Sequence, residues 1–157
     1  MPAKRHRYKT PLRNPAPTSE TVSRTMKANR AKDTTPELIL RKSLRDRGLR
    51  GYRLHSNKVP GRPDISFGRQ KVAIFVHGCF WHRCPKCRLP LPKSNREFWK
   101  KKFGRNRARD RRKRRQLGAD GWKVLEVWEC EIGAKVAVIV SRIFRTVTHG
   151  PLGIQRT

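Results

Sequence analysis

Residue types suited to catalysis and metal binding crowd into one stretch of the chain. Asp64 follows Gly61-Arg62-Pro63, and His77-Gly78-Cys79-Phe80-Trp81-His82 leads into Cys84 and Cys87, with the fourth cysteine far downstream at Cys130. The thiols are spaced as Cys79-x4-Cys84-x2-Cys87, in a loop with little apolar surface to hold itself together, a pattern that suits a metal. Four thiolates complete a tetrahedral Zn²⁺ site, with Cys130 arriving from the end of a later strand. Alternatives remain at this level: the spacing also fits a plant-type iron–sulfur cluster, His82 offers a fourth ligand in place of a thiol, and free thiols need no metal.

Asp64 supplies the hard oxygen donor that Mg²⁺ takes, and a neutral imidazole is a base suited to pH 7. An Asp after Pro is also an ordinary turn former. If the strand after Asp64 and the strand ending at His77 run antiparallel, however, carboxylate and imidazole meet at one edge of a sheet, beside a turn that zinc would pin. That combination is suited to metal-assisted hydrolysis of a phosphodiester. Adjacent aromatics such as Phe80 and Trp81 ordinarily divide between core and surface. In a basic protein they also suit the apolar wedge inserted between DNA base steps.

The charge points the same way. Forty Lys and Arg against eleven Asp and Glu give the 157-residue chain a formal charge of +29, which calls for a polyanion such as nucleic acid. An electron carrier has no need of it, so the balance favours zinc over iron and sulfur. The sequence has no run of about 18 apolar residues and no amphipathic basic helix with a broad apolar face, so a membrane is the weaker partner. We expect a soluble, cytoplasmic, nucleoid-associated protein.

Several elements must position these groups. Residues 1–20 mix basic residues with four prolines and read as a disordered arm. Thr34-Thr35-Pro36-Glu37 is a capping-box pattern opening a helix over 35–47 that Gly48 stops. Residues 52–55, 64–67 and 72–77 read as strands, the last continuously apolar and so central. The proline-rich stretch 78–94 reads as an irregular loop. Residues 95–116 predict a helix, with Gly104 as a candidate interruption, and Lys100 to Arg115 carries eleven basic residues and one acid, Asp110. Residues 122–128 alternate as a strand, and Ile132, Val136, Ile139, Val140 and Ile143 share a helix face. The order implies an α/β sandwich on a mixed sheet, with a domain over 21–146 and a tail over 147–157.

Gly61-Arg62-Pro63-Asp64, the segment from Phe75 to His82, and Trp128-Glu129-Cys130 resemble the very short patch repair mismatch endonucleases of bacteria. Val22 to Met26, Asn95 to Trp99 and Arg109-Asp110 are similar to that family as well, so the resemblance spans about residues 19–132. It implies a restriction-endonuclease-like α/β fold, related to the PD-(D/E)XK nucleases, and a nick 5′ of the T in a T:G mismatch left by deamination of 5-methylcytosine. It also implies a monomer acting on double-stranded DNA, with a MutL-type mismatch-repair protein as partner. By the same resemblance, Asp64 and the backbone carbonyl of Val76 hold Mg²⁺, and His82 activates water. His77 contacts the scissile phosphate, Glu37 holds a water of the metal, and Asp110 orients a catalytic histidine. Met26, Phe80 and Trp81 pry open the stack, while Trp99 and Asn106 contact DNA. Two positions depart from the family pattern: Val76 stands where members carry Thr, leaving only a carbonyl, and Cys84 stands where a His is familiar. A non-catalytic zinc-knuckle DNA-binding protein is the alternative, but only an enzyme gives Asp64, His77, His82 and Glu37 a shared purpose.

Overall fold

The computed structural model of the chain describes residues 15, 16, 20, 24 and 32–149. Nearly all of the expected arm, Met26, and residues 150–157 therefore lie outside the described residues.

Helix α1 spans Thr35–Asp46, with Pro36 in its first turn and Thr34 in extended conformation at the N-cap. The expected capping box takes a different form. The Thr34 hydroxyl donates to Glu37 Oε1 (2.9 Å), and Glu37 Oε2 accepts the backbone N–H of Asp33 (3.2 Å), one residue before the cap. The carboxylate is drawn inward by Arg41, one turn further on. At the other end Gly48, at φ +85°, and Leu49 bond back to Arg45 and Leu44, a glycine stop of the expected kind.

Strand β1 is Arg53–Leu54, β2 is Ile65–Phe67 and β3 is Val72–His77. Strand β1 is shorter than expected because His55 adopts φ +44°, turning the chain out of the sheet. Strand β4 is Lys123–Trp128, and the sheet order is β1-β2-β3-β4. The first two pairings are antiparallel and β3 pairs with β4 in parallel, so the apolar strand is interior and the sheet is mixed, as the sequence predicted.

Helix α2, Arg96–Ala119, crosses from β3 to β4 as a parallel connection requires. It starts after Asn95 in the left-handed region (φ +53°), and Gly104 lies within it without a break. Helix α3, Glu129–Thr148, follows β4 with no loop, and Glu131 accepts the backbone N–H of Trp128 (3.1 Å) at its start. Cys130 is therefore on the first turn of α3 rather than at the end of the fourth strand. Helix α3 kinks at Lys135 and continues to bury Val147, beyond the expected 146 boundary.

Alternation along β3 builds two cores. Val72 and Ile74 join Leu40 and Leu44 of α1 and Ile132, Ile139 and Ile143 of α3 on one face. Ala73 and Phe75 join Val59 and Leu117 of α2 on the other. A fully buried Leu or Ile contributes about 1.5–3 kcal/mol by burial, so the first core carries most of the fold. The α2 face, poorer in apolar residues, is where polar groups gather.

Candidate active site

Asp64 stands one residue before β2, after a turn in which Gly61 has φ +76° and Arg62 φ +49°. Its Oδ2 accepts the backbone N–H of Val76 (2.7 Å), so a side chain extends the β2–β3 pairing one step further. Burial pushes the Asp64 carboxyl above the ordinary range, helped by the negative charge of Glu37, although the Val76 hydrogen bond opposes the shift.

Glu37 is buried and fully engaged: besides Thr34 and Asp33 it accepts from Arg41 Nη2 (2.8 Å). Arg41 also reaches Asp33 Oδ1 (2.5 Å) and His55 Nε2 (3.0 Å). Since arginine only donates, His55 Nε2 must accept, and the ring proton lies on Nδ1. That nitrogen is 3.6 Å from Asp64 Oδ1, so His55 lies between the two carboxylates. No motif in the sequence marks His55. Asp33, Glu37 and His55 have ligand atoms close enough for a metal, but the Arg41 guanidinium already supplies the cation among them.

On the α2 face, the ring centroids of His77 and His82 are 4.3 Å apart. His82 Nδ1 meets Asp110 Oδ2 at 2.6 Å. Burial would raise the Asp110 carboxyl, but the His82 hydrogen bond and nearby positive charge, that of Arg109 included, hold it below its ordinary value. An ionised Asp110 takes the Nδ1–H and leaves His82 Nε2 free to accept a proton. His77 has its own partner, absent from the sequence reading: Nε2 lies 3.4 Å from Glu126 Oε1 on β4, and Glu126 also accepts from Arg114 (3.1 Å). The His77 hydrogen bond is the main reason the Glu126 carboxyl is lowered. Asp64, Glu37, Val76, His77, His82 and Asp110 all line one cleft of about 1060 Å³.

Helix α2 reaches this cleft with Arg109, Asp110, Arg112, Lys113 and Gln116. One stripe of it at helical spacing, Trp99, Phe103, Asn106, Asp110, Lys113 and Leu117, is buried or half-buried, apolar at the ends and polar in the middle. Trp99 packs against Phe80, Trp81, Phe98 and Phe103 and is itself buried. Phe80 sits edge-on against Trp81, Trp99 and Phe103. Trp81, half-buried, lines the cleft. Asn106 donates to the Trp81 carbonyl (3.0 Å), bracing the loop that carries both aromatics.

Beside the cleft the sulfurs of Cys79, Cys84, Cys87 and Cys130 lie within 4.8 Å of one another. Cys84 and Cys130 are 3.8 Å apart, which matches the edge of a sulfur tetrahedron built on Zn–S bonds of about 2.3 Å. Burial pushes the Cys79 thiol up. Burial acts the same way on Cys84, but the N–H groups of Cys87 and Lys86 outweigh it and lower that thiol. Residues 78–94 form no helix or strand, only turns and bends, as the sequence predicted.

A family model for the DNA mismatch endonuclease Vsr matches residues 16–88. The type II nicking enzyme V.XorIIP of Xanthomonas oryzae pv. oryzae is 47% identical over 108 residues, 68% of this chain and 78% of the relative. V.NaeI, a type II nicking enzyme of Lentzea aerocolonigenes, is 41% identical over 142 residues, covering 87% and 84%. The DNA mismatch endonuclease Vsr of Escherichia coli K12 is 40% identical over 112 residues, 71% of each chain. The polar cleft on a mixed sheet, the cysteine cluster beside it and these relatives agree: the chain belongs to the Vsr family of DNA mismatch endonucleases.

Proposed function

We propose that the protein nicks double-stranded DNA at T:G mismatches, 5′ of the mismatched T, in a Mg²⁺-dependent reaction on a restriction-endonuclease-like fold. The observation that carries this reading is the convergence of Asp64, Glu37 and the His82–Asp110 pair in one cleft of a chain whose relatives are mismatch and nicking endonucleases.

The Asp64 carboxylate and the Val76 carbonyl would hold Mg²⁺. The fit is chemical: hard oxygen donors, and a half-buried Asp64 carboxylate whose negative charge is made costly by burial and by Glu37. The ion supplies charge neutralisation at the phosphate and leaving oxygen. The remaining work falls to side chains. His82 Nε2 takes the proton of the attacking water, while Asp110 fixes the ring and stabilises the imidazolium that results. His77, backed by Glu126, contacts the scissile phosphate. Glu37 orders water at the metal site, and its three hydrogen-bond partners, Asp33, Thr34 and Arg41, hold the carboxylate still.

The four thiols would hold Zn²⁺ as a structural ion, and their mutual spacing supports a single tetrahedral centre, since thiolates on different irons of a cluster stand further apart. Met26, Phe80 and Trp81 open the base stack, with Trp99 and Asn106 supporting that surface. The protein works as a monomer beside the nucleoid, with a MutL-type repair protein as its partner.

The test is incubation of the purified chain with a T:G duplex and Mg²⁺, each strand labelled separately. A nick in the T strand alone, absent from the matched duplex and dependent on added Mg²⁺, is expected. Tight binding that leaves both strands intact would overturn the reading in favour of a DNA-binding module.

A further inference from the structure

Lys113 is set apart from the other cations of α2. Its neighbours Arg111, Arg112, Arg114 and Arg115 are exposed, whereas Lys113 is half-buried on the stripe that faces the sheet. Its stem runs across Gly61: a Cβ there would come within 3.0 Å of Lys113 Cγ, so the glycine of the turn before Asp64 leaves the space this stem fills. The ammonium lies 5.4 Å from the centroid of the Phe75 ring. No carboxylate forms an ion pair with it among the described residues, although it lines the same cleft as Asp64 and Asp110. Burial lowers its pKa, the positive charge of Arg109 adding to this, while Asp110 and Asp64 act in the opposite sense.

A desolvated cation held by packing, next to the proposed nucleolytic groups but bound to neither, is placed to receive an anion. We propose that Lys113 is a catalytic residue that donates from Nζ to a non-bridging oxygen of the scissile phosphate and stabilises the charge that grows there as the P–O bond breaks. Arg109 and Arg112 line the cleft as well, but both are exposed, and contacts of exposed arginines with the DNA backbone would contribute affinity. The inference rests on the nuclease reading of the cleft.

The test compares Lys113→Met and Lys113→Arg with the unaltered chain, all full length and zinc-loaded. Single-turnover nicking of a labelled T:G duplex is measured in saturating enzyme and Mg²⁺, and affinity for the same duplex in buffer without added Mg²⁺. Methionine keeps the apolar stem, so a purely packing role leaves its rate unchanged, whereas loss of a transition-state donor slows nicking by about 10² to 10³. Affinity should change by only a few-fold, and Lys113→Arg should recover most of the rate. Melting temperature checks folding, and Lys113→Gln replaces the methionine variant if that one does not fold. A folded Lys113→Met or Lys113→Gln variant that nicks at the unaltered rate, or loses affinity alone, overturns the role of Lys113 while leaving the nuclease intact. An unaltered chain that does not nick at all overturns the nuclease reading itself, and this inference with it.

Discussion

Asp64 owes its place to a hydrogen bond rather than to a strand: the Val76 N–H fixes its carboxylate while burial and Glu37 make its charge costly. A half-buried negative charge in a cleft proposed to take DNA is stabilised when a cation joins it. Asp64→Ala should therefore abolish nicking while leaving affinity for the T:G duplex unchanged or tighter, and an affinity that falls in parallel with activity would contradict that role. His82 differs, since its partner Asp110 lies on α2 and the four thiols beside it could complete a metal site without it. His82→Ala should slow single-turnover nicking by about 10² to 10⁴, the range for a general base, yet retain one zinc per chain by atomic absorption. Loss of zinc in that variant would move His82 into the metal shell.

At the scale of elements, the loop over 78–94 has no regular structure and is tied to the fold at two points. Its cysteines meet Cys130 on the first turn of α3, and Phe80 enters the aromatic cluster on α2. The energy of a structural zinc is folding energy, so Cys130→Ser should release the metal and lower the melting temperature. A variant that keeps both would refute the structural role. The two aromatics proposed as the wedge should also separate. Phe80 packs inward, so Phe80→Ala should cost part of the about 3–5 kcal/mol that truncating a fully buried Phe costs, seen as a lower urea midpoint. Trp81 lines the cleft, so Trp81→Ala should reduce preference for the mismatched over the matched duplex with a smaller loss of stability. Equal losses on both duplexes would remove Trp81 from mismatch recognition.

For the whole molecule, the dominant quantity is a charge of +29 on 157 residues. Much of it lies on the outer face of α2, where Arg105, Arg107, Arg111 and Arg115 are exposed and hold no carboxylate partner among the described residues. Such a surface binds by counterion release, so affinity should fall steeply as salt rises. Deleting residues 1–18 should flatten the log–log salt slope by about 0.9 for each DNA phosphate that the arm neutralises. An unchanged slope would show that the arm does not touch the DNA backbone.

Local patterns in the sequence determined the elements. Pro36 and Gly48 bound α1, the apolar run 72–77 is an interior strand, and the cysteine spacing marked a metal loop, because turns, caps and periodicity act over a few residues. The Asp64, His77 and His82 motif was legible for the same reason. What only the tertiary structure decided were the partners of those residues. Glu126 lies 49 positions from His77, His55 meets Glu37 from another element, and Lys113 reaches the cleft only because α2 packs on the sheet at Gly61. Within a run of eleven basic residues no composition distinguishes one lysine. Only the tertiary structure sets Lys113 apart, by laying its stem across Gly61. Contacts across layers depend on strand register and helix placement, which the packing of two cores sets together and no local segment encodes.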